Sequence, residues 1–201
     1  MTPTLVIMVK EPRPGRVKTR LGRQIGLTAS AWWFRHQTSA LLRRLRDPRW
    51  QIVLAVAPDI EGLTSRIWPA DLARIAQGKG DLGDRMGRIF RHVGIGPLCI
   101  IGADIPGIDR LRIAQAFKAL GASDTVFGPA PDGGYWLIGL ARRRALPSTI
   151  LQNVRWSSPH ALADSRNALP RGRTTLIDTL QDIDTRADLT EMGRDARPRA
   201  W

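Results

Sequence analysis

Short apolar runs recur along the chain, and most of them are bounded by Gly, Pro or Asp. Runs of this kind are typical of buried strands, whereas apolar residues spaced three or four apart indicate a helix face. The runs predict strands at Thr4–Val9, Gln51–Ala57, Ala73–Gln77, Leu98–Gly102, Thr125–Gly128, Tyr135–Leu140 and Thr174–Ile177. Helical segments separate most of these strands, and such alternation is typical of an α/β sheet.

The apolar spacing between the strands predicts helices at Thr28–Arg46, Leu82–His92, Asp109–Leu120 and Ser158–Ala168. We expect Thr28, Asp109 and Ser158 to cap the helices that they begin, because their side-chain oxygens can accept hydrogen bonds from the first free backbone N–H groups. Pro159, directly after Ser158, fits the first turn of a helix.

The link between the strand that ends at Gly128 and the strand that begins at Tyr135 is too short for a helical crossover. Adjacent parallel strands need a connection of about a dozen residues or more, so one of these two strands is expected to run antiparallel. We therefore predict a mixed, mostly parallel sheet.

The chain carries 31 basic and 18 acidic residues, which gives a formal net charge of +13. An excess of this size is typical of proteins that bind nucleic acid or other anions. The cations are spread along the sequence and do not form one basic tail. We therefore favour an anionic small ligand and keep nucleic acid as the second interpretation.

The cellular compartment is inferred from hydrophobic runs and cysteine usage. No apolar run approaches the roughly 20 residues that a membrane-spanning helix needs, and the N-terminus lacks the pattern of a signal peptide. The single cysteine, Cys99, excludes an internal disulfide and suits a reducing environment. These features predict a cytoplasmic protein without a membrane span.

The loop Lys10–Leu21 directly follows the apolar run Leu5–Val9 and combines glycine, prolines and cations. In open α/β sheets, ligands bind outside the carboxyl ends of the strands, where this loop is expected to lie. Backbone N–H groups near a glycine, together with basic side chains, can surround a diphosphate. The candidate residues are Lys10, Gly15, Lys18 and Arg20. The alternative is a solvated basic loop.

A second predicted strand end leads into the segment Gly80–Met86. Its glycines let the backbone approach a ligand, and the helix N-terminus there favours negative charge. Gly80 and Arg85 are therefore further candidates for binding the nucleotide.

Two acidic residues follow later strands. Asp104 lies after Leu98–Gly102, and a carboxylate there can bind Mg²⁺, which usually takes one or two protein carboxylates and fills its octahedron with phosphate oxygens and water. Alternatively, Asp104 only closes a turn. Asp132, beside Gly133 and Gly134, is equally compatible with a hairpin turn.

Motifs for covalent catalysis are absent from the sequence. It has no Walker lysine motif, no nucleophile elbow and no cysteine pair, and its three histidines lack metal-ligand spacing. Direct transfer assisted by a metal ion is therefore the simpler mechanism.

Six segments resemble one family in the same order along the chain: Lys10–Leu21, Gly80–Met86, Ile101–Pro106, Gly128–Leu140, Val154–Ser158 and Leu180–Thr185. They are similar to the radical-SAM/selenodomain-associated transferase family, bacterial proteins of the GT-A glycosyltransferase superfamily. The resemblance extends from Leu5 to about Leu189. We therefore expect a single domain over residues 1–192 and a C-terminal tail over residues 193–201.

The resemblance implies a nucleotide-diphospho-sugar-binding fold, in which helices cover both faces of the sheet in a three-layer αβα sandwich. It implies that the loop ending in Lys18 and Arg20 holds the nucleotide and that Asp104 binds Mg²⁺ or Mn²⁺. Asp184 is the candidate for a second metal ligand, and Asp132 is expected to face the acceptor or the sugar. Asp104 is a single carboxylate followed by Ile-Pro, so the Asp-x-Asp motif of many glycosyltransferases is absent at this position. This departure brings the chain nearer to the nucleotidyltransferases.

We therefore expect an enzyme, a metal-dependent transferase that uses a nucleotide-sugar donor and a small-molecule acceptor, with Asp104 and Asp132 as catalytic residues. The first alternative is a guanylyltransferase-like nucleotidyltransferase that joins an NTP to a phosphorylated acceptor. A basic nucleic-acid-binding protein is the alternative of another class. A last alternative is a binding protein that keeps the fold without turnover.

Overall fold

A computed structural model describes residues 1–181, in which seven strands form one sheet. The strands are β1 (Thr4–Lys10), β2 (Gln51–Ala57), β3 (Ala73–Ala76), β4 (Leu98–Gly102), β5 (Thr125–Pro129), β6 (Tyr135–Leu140) and β7 (Thr174–Leu176). The helices are α1 (Thr19–Ile25), α2 (Leu27–Arg44), α3 (Asp59–Thr64), α4 (Leu82–His92), α5 (Arg110–Ala122) and α6 (Ala161–Asn167). Each predicted strand is present, and no strand boundary differs from the prediction by more than one residue.

The strands lie in the order β3-β2-β1-β4-β6-β5-β7. β6 runs antiparallel to both of its neighbours, β4 and β5, whereas the other neighbouring strands pair in parallel. This arrangement confirms the mixed, mostly parallel sheet. The short link before Tyr135 makes β5 and β6 a hairpin, as the length of the connection requires.

Helices cover both faces of the sheet. Leu5 and Ile7 of β1 belong to one buried apolar cluster with residues of α2 and α5, while Val6 belongs to a second cluster with residues of α4. Successive residues of a strand point to opposite faces, so the two clusters lie on opposite sides of the sheet. The predicted three-layer αβα sandwich is therefore confirmed.

Of the three predicted capping residues, one caps its helix and two do not. Asp109 caps α5, where its side chain accepts a hydrogen bond from the backbone N–H of Arg112. Thr28 does not cap α2, because that helix begins one residue earlier, after Gly26. Ser158 does not cap α6 either. Its hydroxyl donates to the carbonyl of Arg155 and so stabilises the turn before the helix.

The sequence pattern does not predict α1 and α3. They contain 7 and 6 residues, which is too short for a helical period to be visible. None of the helices within residues 1–181 is long and apolar enough to span a membrane. The predicted C-terminal tail at 193–201 lies outside the described residues.

The topology gathers four chain segments at one edge of the sheet. β3, β2, β1 and β4 are neighbours that pair in parallel, so the segments that follow β1, β3 and β4 leave the sheet at the same edge. The hairpin between β5 and β6 turns at this edge as well, because β5 is parallel to β4. In sheets of this type the ligand crevice lies where the strand order reverses, here outside β1 and β4.

One ion pair fastens the segment before α6 to that helix. The backbone and side chain of Arg155 donate three hydrogen bonds to the carboxylate of Asp164, with distances of 2.8–3.1 Å. The side-chain and backbone hydrogen bonds from Arg155 lower the pKa of Asp164 to about 2. The pair therefore fixes where the chain continues from Arg155 into Trp156 and Ser158.

Gly139 tests the close packing at the centre of the sheet. A Cβ atom at this position of β6 would lie 2.7 Å from the Sγ of Cys99 and 2.7 Å from a methyl carbon of Val126. We expect Gly139→Ala to lower the free energy of unfolding by about 1–3 kcal/mol, as overpacking does in buried cores. The matched control is Gly121→Ala in α5, where the added carbon meets no atom within 4 Å. Urea unfolding that gives equal stabilities for the two variants would contradict this description.

The Arg155–Asp164 pair predicts a pH dependence of stability. Because folding lowers the pKa of Asp164 to about 2, the pair stabilises the fold above the ordinary carboxyl pKa, and this contribution is lost as the pH falls toward the lowered value. We expect the wild type to have a higher Tm than Asp164→Asn at about pH 6, with the difference shrinking progressively below about pH 4. An unchanged difference at about pH 3 would show that this pair contributes no titrating stability.

Candidate functional site

A cleft of about 770 Å³ opens at the sheet edge where the four segments meet. Met8 and Ile101 lie at the ends of β1 and β4, and the loops around them form its walls. The predicted site residues that line this cleft are Lys10, Lys18, Arg20, Gly80, Arg85, Asp104 and Asp132. Four segments that are distant in the sequence therefore contribute to one cavity.

An ion pair crosses the cleft between the loops that follow β1 and β4. The Nζ of Lys18 lies 2.9 Å from an Oδ atom of Asp104, and the side chains are 6% and 35% exposed. A nearly buried ammonium needs a charged partner, because desolvation without one is costly. The alternative that Asp104 serves only to close a turn is therefore incomplete, since its carboxylate also compensates a buried cation.

The backbone around the pair leaves room for the two side chains. Lys18 has left-handed backbone angles, with φ 44° and ψ 48°, and directly precedes α1. A Cβ atom on Gly102 would lie 3.0 Å from an oxygen of Asp104, so the carboxylate folds back over a residue without a side chain. Arg44 holds the same loop from outside by donating to the carbonyls of Pro106 and Ile108.

Gln77 positions one of the arginines that face the cleft. Its amide nitrogen donates to the carbonyls of Val9 and Ala55, and its amide oxygen accepts a hydrogen bond from Arg85. Arg85 also donates to the carbonyl of Gly80. Because Gln77 is 2% exposed and is anchored to β1 and β2, the guanidinium of Arg85 has a fixed place at the cleft.

The Gly80 loop brings bare backbone to the same wall. Gly80 has φ +99°, a conformation that L side chains rarely adopt, and a Cβ atom there would collide with Asp84. Asp81 and Asp84 form a reciprocal capping box at the start of α4. Arg88 holds the loop by donating to the carbonyls of Gln77 and Lys79. The predicted close approach of backbone to a ligand is compatible with this geometry.

Asp132 lies on the opposite wall, in the turn of the β5–β6 hairpin. One of its oxygens accepts a hydrogen bond of 2.9 Å from the backbone N–H of Gly134. Gly133 has φ +83°, and a Cβ atom there would collide with the backbone of Pro159. Asp132 therefore fits both predictions made for it, because it closes the hairpin turn and also lines the cleft.

Two of the predicted site residues have a different outcome. Gly15 is in a positive-φ turn, with φ +78°, but it does not contribute to the described lining of the cleft. Asp184 lies outside the described residues. Within residues 1–181 no group of three or more His, Cys, Asp or Glu side chains is arranged to hold a metal ion.

The sequence analysis does not identify three residues that line the cleft, namely Gln77, Tyr135 and Trp156. Burial raises the pKa of the Tyr135 hydroxyl, with a smaller opposing effect from its hydrogen bond to Ser165. The indole nitrogen of Trp156 is buried and has no hydrogen-bond partner. Trp156 belongs to the segment Val154–Ser158, and that segment is the available signal, whereas Gln77 belongs to none of the six segments.

Solved structures resemble the chain over its whole length. A crystal structure of a candidate nucleotide-diphospho-sugar transferase from Desulfovibrio desulfuricans G20 is similar, with a TM-score of 0.86 and 27% identity over 100% of this chain and 90% of that chain. CMP:2-keto-3-deoxy-manno-octonic acid synthetase in complex with CTP has a TM-score of 0.57 and 12% identity, over 97% of this chain and 100% of that one. These likenesses confirm the predicted fold class, and they are consistent with the prediction of an enzyme.

A third similar structure is the Rv0371c protein of Mycobacterium tuberculosis H37Rv in complex with manganese, with a TM-score of 0.53 and 14% identity over 96% of this chain and 98% of that one. No curated protein sequence matches the chain significantly. A family model described as "Uncharacterized protein conserved in bacteria (DUF2064)" matches residues 40–158. Since this match covers more than half of the sequence, the chain belongs to the DUF2064 family.

Proposed function

We propose that the chain is a metal-dependent transferase that takes a nucleotide-sugar donor and passes the sugar to a small-molecule acceptor. The observation that carries this proposal is the Lys18–Asp104 pair, which places a cation and a carboxylate at the crevice between β1 and β4. Lys10, Arg20 and Arg85 surround the same cleft with further positive charge. The similarity to a candidate nucleotide-diphospho-sugar transferase supports the same ligand class.

The donor atoms of the cleft fit a hard divalent ion. Asp104 offers a partly exposed carboxylate, and the ammonium of Lys18 beside it is a cation already accommodated at that oxygen. Mg²⁺ and Mn²⁺ sites of this kind need one or two protein carboxylates, because phosphate oxygens and water supply the rest. The manganese complex of a protein with the same fold supports this assignment.

Asp184 is our proposed second ligand, although it lies outside the described residues. The described chain ends close to the cleft loops. Leu180 donates a backbone hydrogen bond to the carbonyl of Pro129, and a Cβ atom on Gly107 would lie 3.3 Å from the Leu180 side chain. Asp184 is proposed as a ligand on the sequence alone.

Each residue has a defined part in the transfer. Lys18 and Arg20 bind the diphosphate, and Arg85, held by Gln77, orients its nucleotide. Asp132 accepts the proton of the acceptor hydroxyl as that oxygen bonds to the sugar carbon and the nucleoside diphosphate leaves. A bound divalent ion would supply charge stabilisation for the leaving diphosphate.

A nucleotidyltransferase remains our second candidate, in which an NTP is joined to a phosphorylated acceptor with release of pyrophosphate. The CTP complex of a protein with the same fold supports it. Trp50, Trp68 and Trp136 are buried, and Trp32 is the one Trp among residues 1–181 that is strongly exposed. A single exposed indole does not make the series of stacking aromatics that single-stranded nucleic acid needs, which disfavours the nucleic-acid-binding alternative. Cytoplasmic location, the single domain over 1–192 and an association with radical-SAM/selenodomain proteins stay predictions from the sequence.

Asp104→Asn tests the metal-dependent part of the proposal. In the wild type, Mg²⁺ or Mn²⁺ is expected to raise the affinity for the nucleotide sugar. We expect this factor to fall by more than about tenfold in the variant, because an amide is a poorer metal ligand than a carboxylate. Calorimetric titration with and without metal measures this difference. The control is Asp71→Asn, whose carboxylate pairs with Arg46 away from the cleft. Equal metal dependence in wild type and Asp104→Asn would overturn the proposal.

A panel of ligands distinguishes the two transferase reactions. We expect nucleotide sugars, in the presence of Mn²⁺, to raise the Tm of the wild type more than the matching NTPs do, since ligand binding to the folded state stabilises it. A larger Tm increase with NTPs would favour the nucleotidyltransferase. No increase with any nucleotide would contradict both reactions.

A further inference from the structure

We propose that Lys18 occupies the cation position at Asp104 when no ligand is bound, so that a divalent ion and a diphosphate enter the cleft as a coupled pair. This inference rests on the proposed function, because it concerns the same metal and nucleotide. It adds that Lys18 links the binding of the metal ion to the binding of the diphosphate. The residue is thus both a competitor of the metal and the group that the diphosphate later engages.

A metal ion and the ammonium of Lys18 would compete for the same carboxylate oxygen. The Nζ of Lys18 lies 2.9 Å from the Oδ2 of Asp104, whereas Mg²⁺ binds carboxylate oxygens at about 2.0–2.1 Å. A metal ion at that oxygen would therefore stand within a few ångström of the ammonium. The two positive charges would repel each other strongly in a partly desolvated cleft.

Lys18 cannot relieve this repulsion simply by moving into solvent. Its side chain is 6% exposed, and its carbonyl accepts the backbone hydrogen bond of Gly22 in α1. A Cβ atom on Gly22 would lie 2.8 Å from the side chain of Leu27, so α1 is closely packed on α2. The backbone of Lys18 is thus fixed, and separation of its ammonium from Asp104 would break an ion pair in which the cation is nearly buried.

A diphosphate removes this obstacle because it offers oxygens to both cations. One phosphate oxygen can accept the ammonium of Lys18 while others bind the metal ion at Asp104. Each ligand then lowers the cost of binding the other, and the coupling acts equally in both directions.

Direct metal binding tests the proposal without an activity measurement. The probe is Mn²⁺ alone, and its binding is measured from the loss of the electron paramagnetic resonance signal of the free ion. We expect Lys18→Met to bind Mn²⁺ at least about tenfold more tightly than the wild type. Lys18→Arg keeps the competing charge and should bind Mn²⁺ weakly, and Lys18→Met combined with Asp104→Asn should lose the gained affinity.

The second arm measures the coupling. CDP, GDP and UDP are titrated one at a time into each variant, with and without Mn²⁺ at concentrations corrected for chelation by the nucleotide. The factor by which Mn²⁺ raises nucleotide affinity should be larger in the wild type than in Lys18→Met. Thermal unfolding and circular dichroism establish that each variant is folded before its binding is compared.

The possible results separate the two proposals. Equal Mn²⁺ affinity in folded wild type and Lys18→Met, or weaker binding in Lys18→Met, would overturn the competition by Lys18 even if nucleotides bind. Absence of nucleotide binding to the wild type with Mn²⁺ would overturn the proposed function, whereas the Mn²⁺ arm would still decide the competition at Asp104.

Discussion

The parallel pairing of β1 with β4 is the constraint on which the candidate site depends. Their register places Thr4 beside Leu98 and Met8 beside Gly102, so β1 continues for two residues beyond the end of β4. The chain must then leave both strands into neighbouring loops. Lys18 and Asp104 meet because these loops share one crevice, and a shift of two residues in the register would move the partners apart by about 7 Å.

Several of the arginines hold loops in place by hydrogen bonds to backbone carbonyls. Arg44 donates to two carbonyls of the loop after Asp104, and Arg74 donates to the carbonyls of Leu63, Ser65 and Trp68. Burial lowers the pKa of Arg44, and the nearby charge of Asp109 partly offsets that effect. A guanidinium group has five N–H donors in one plane, so a single arginine can donate to several backbone carbonyls at once. The net charge of +13 is therefore an incomplete guide to ligand class.

Strands and loop positions could be predicted from sequence because their signals are local. An apolar run bounded by Gly or Asp marks β4, and the short link before Tyr135 alone determines that β5 and β6 are antiparallel to each other. The contact between Lys18 and Asp104 depends on strand order, which is not local. Gln77 could not be identified for the same reason, since its carbonyl partners belong to two other strands. The predicted start of α6 at Ser158 is wrong, because the hydroxyl of Ser158 stabilises the preceding turn and the helix begins at Ala161.

The two walls of the cleft are held by different means, and this difference has a chemical consequence. The Lys18 wall depends on buried strands and packed helices, whereas the wall with Asp132 and Trp156 depends on a tight Gly133–Pro159 contact and the exposed Arg155–Asp164 pair. A diphosphate has constant shape and charge, so a fixed set of cations suits it. The carboxylate of Asp132 lines the opposite wall, where it can accept a hydrogen bond from a hydroxyl group of a ligand. The cations and this carboxylate therefore depend on separate parts of the fold.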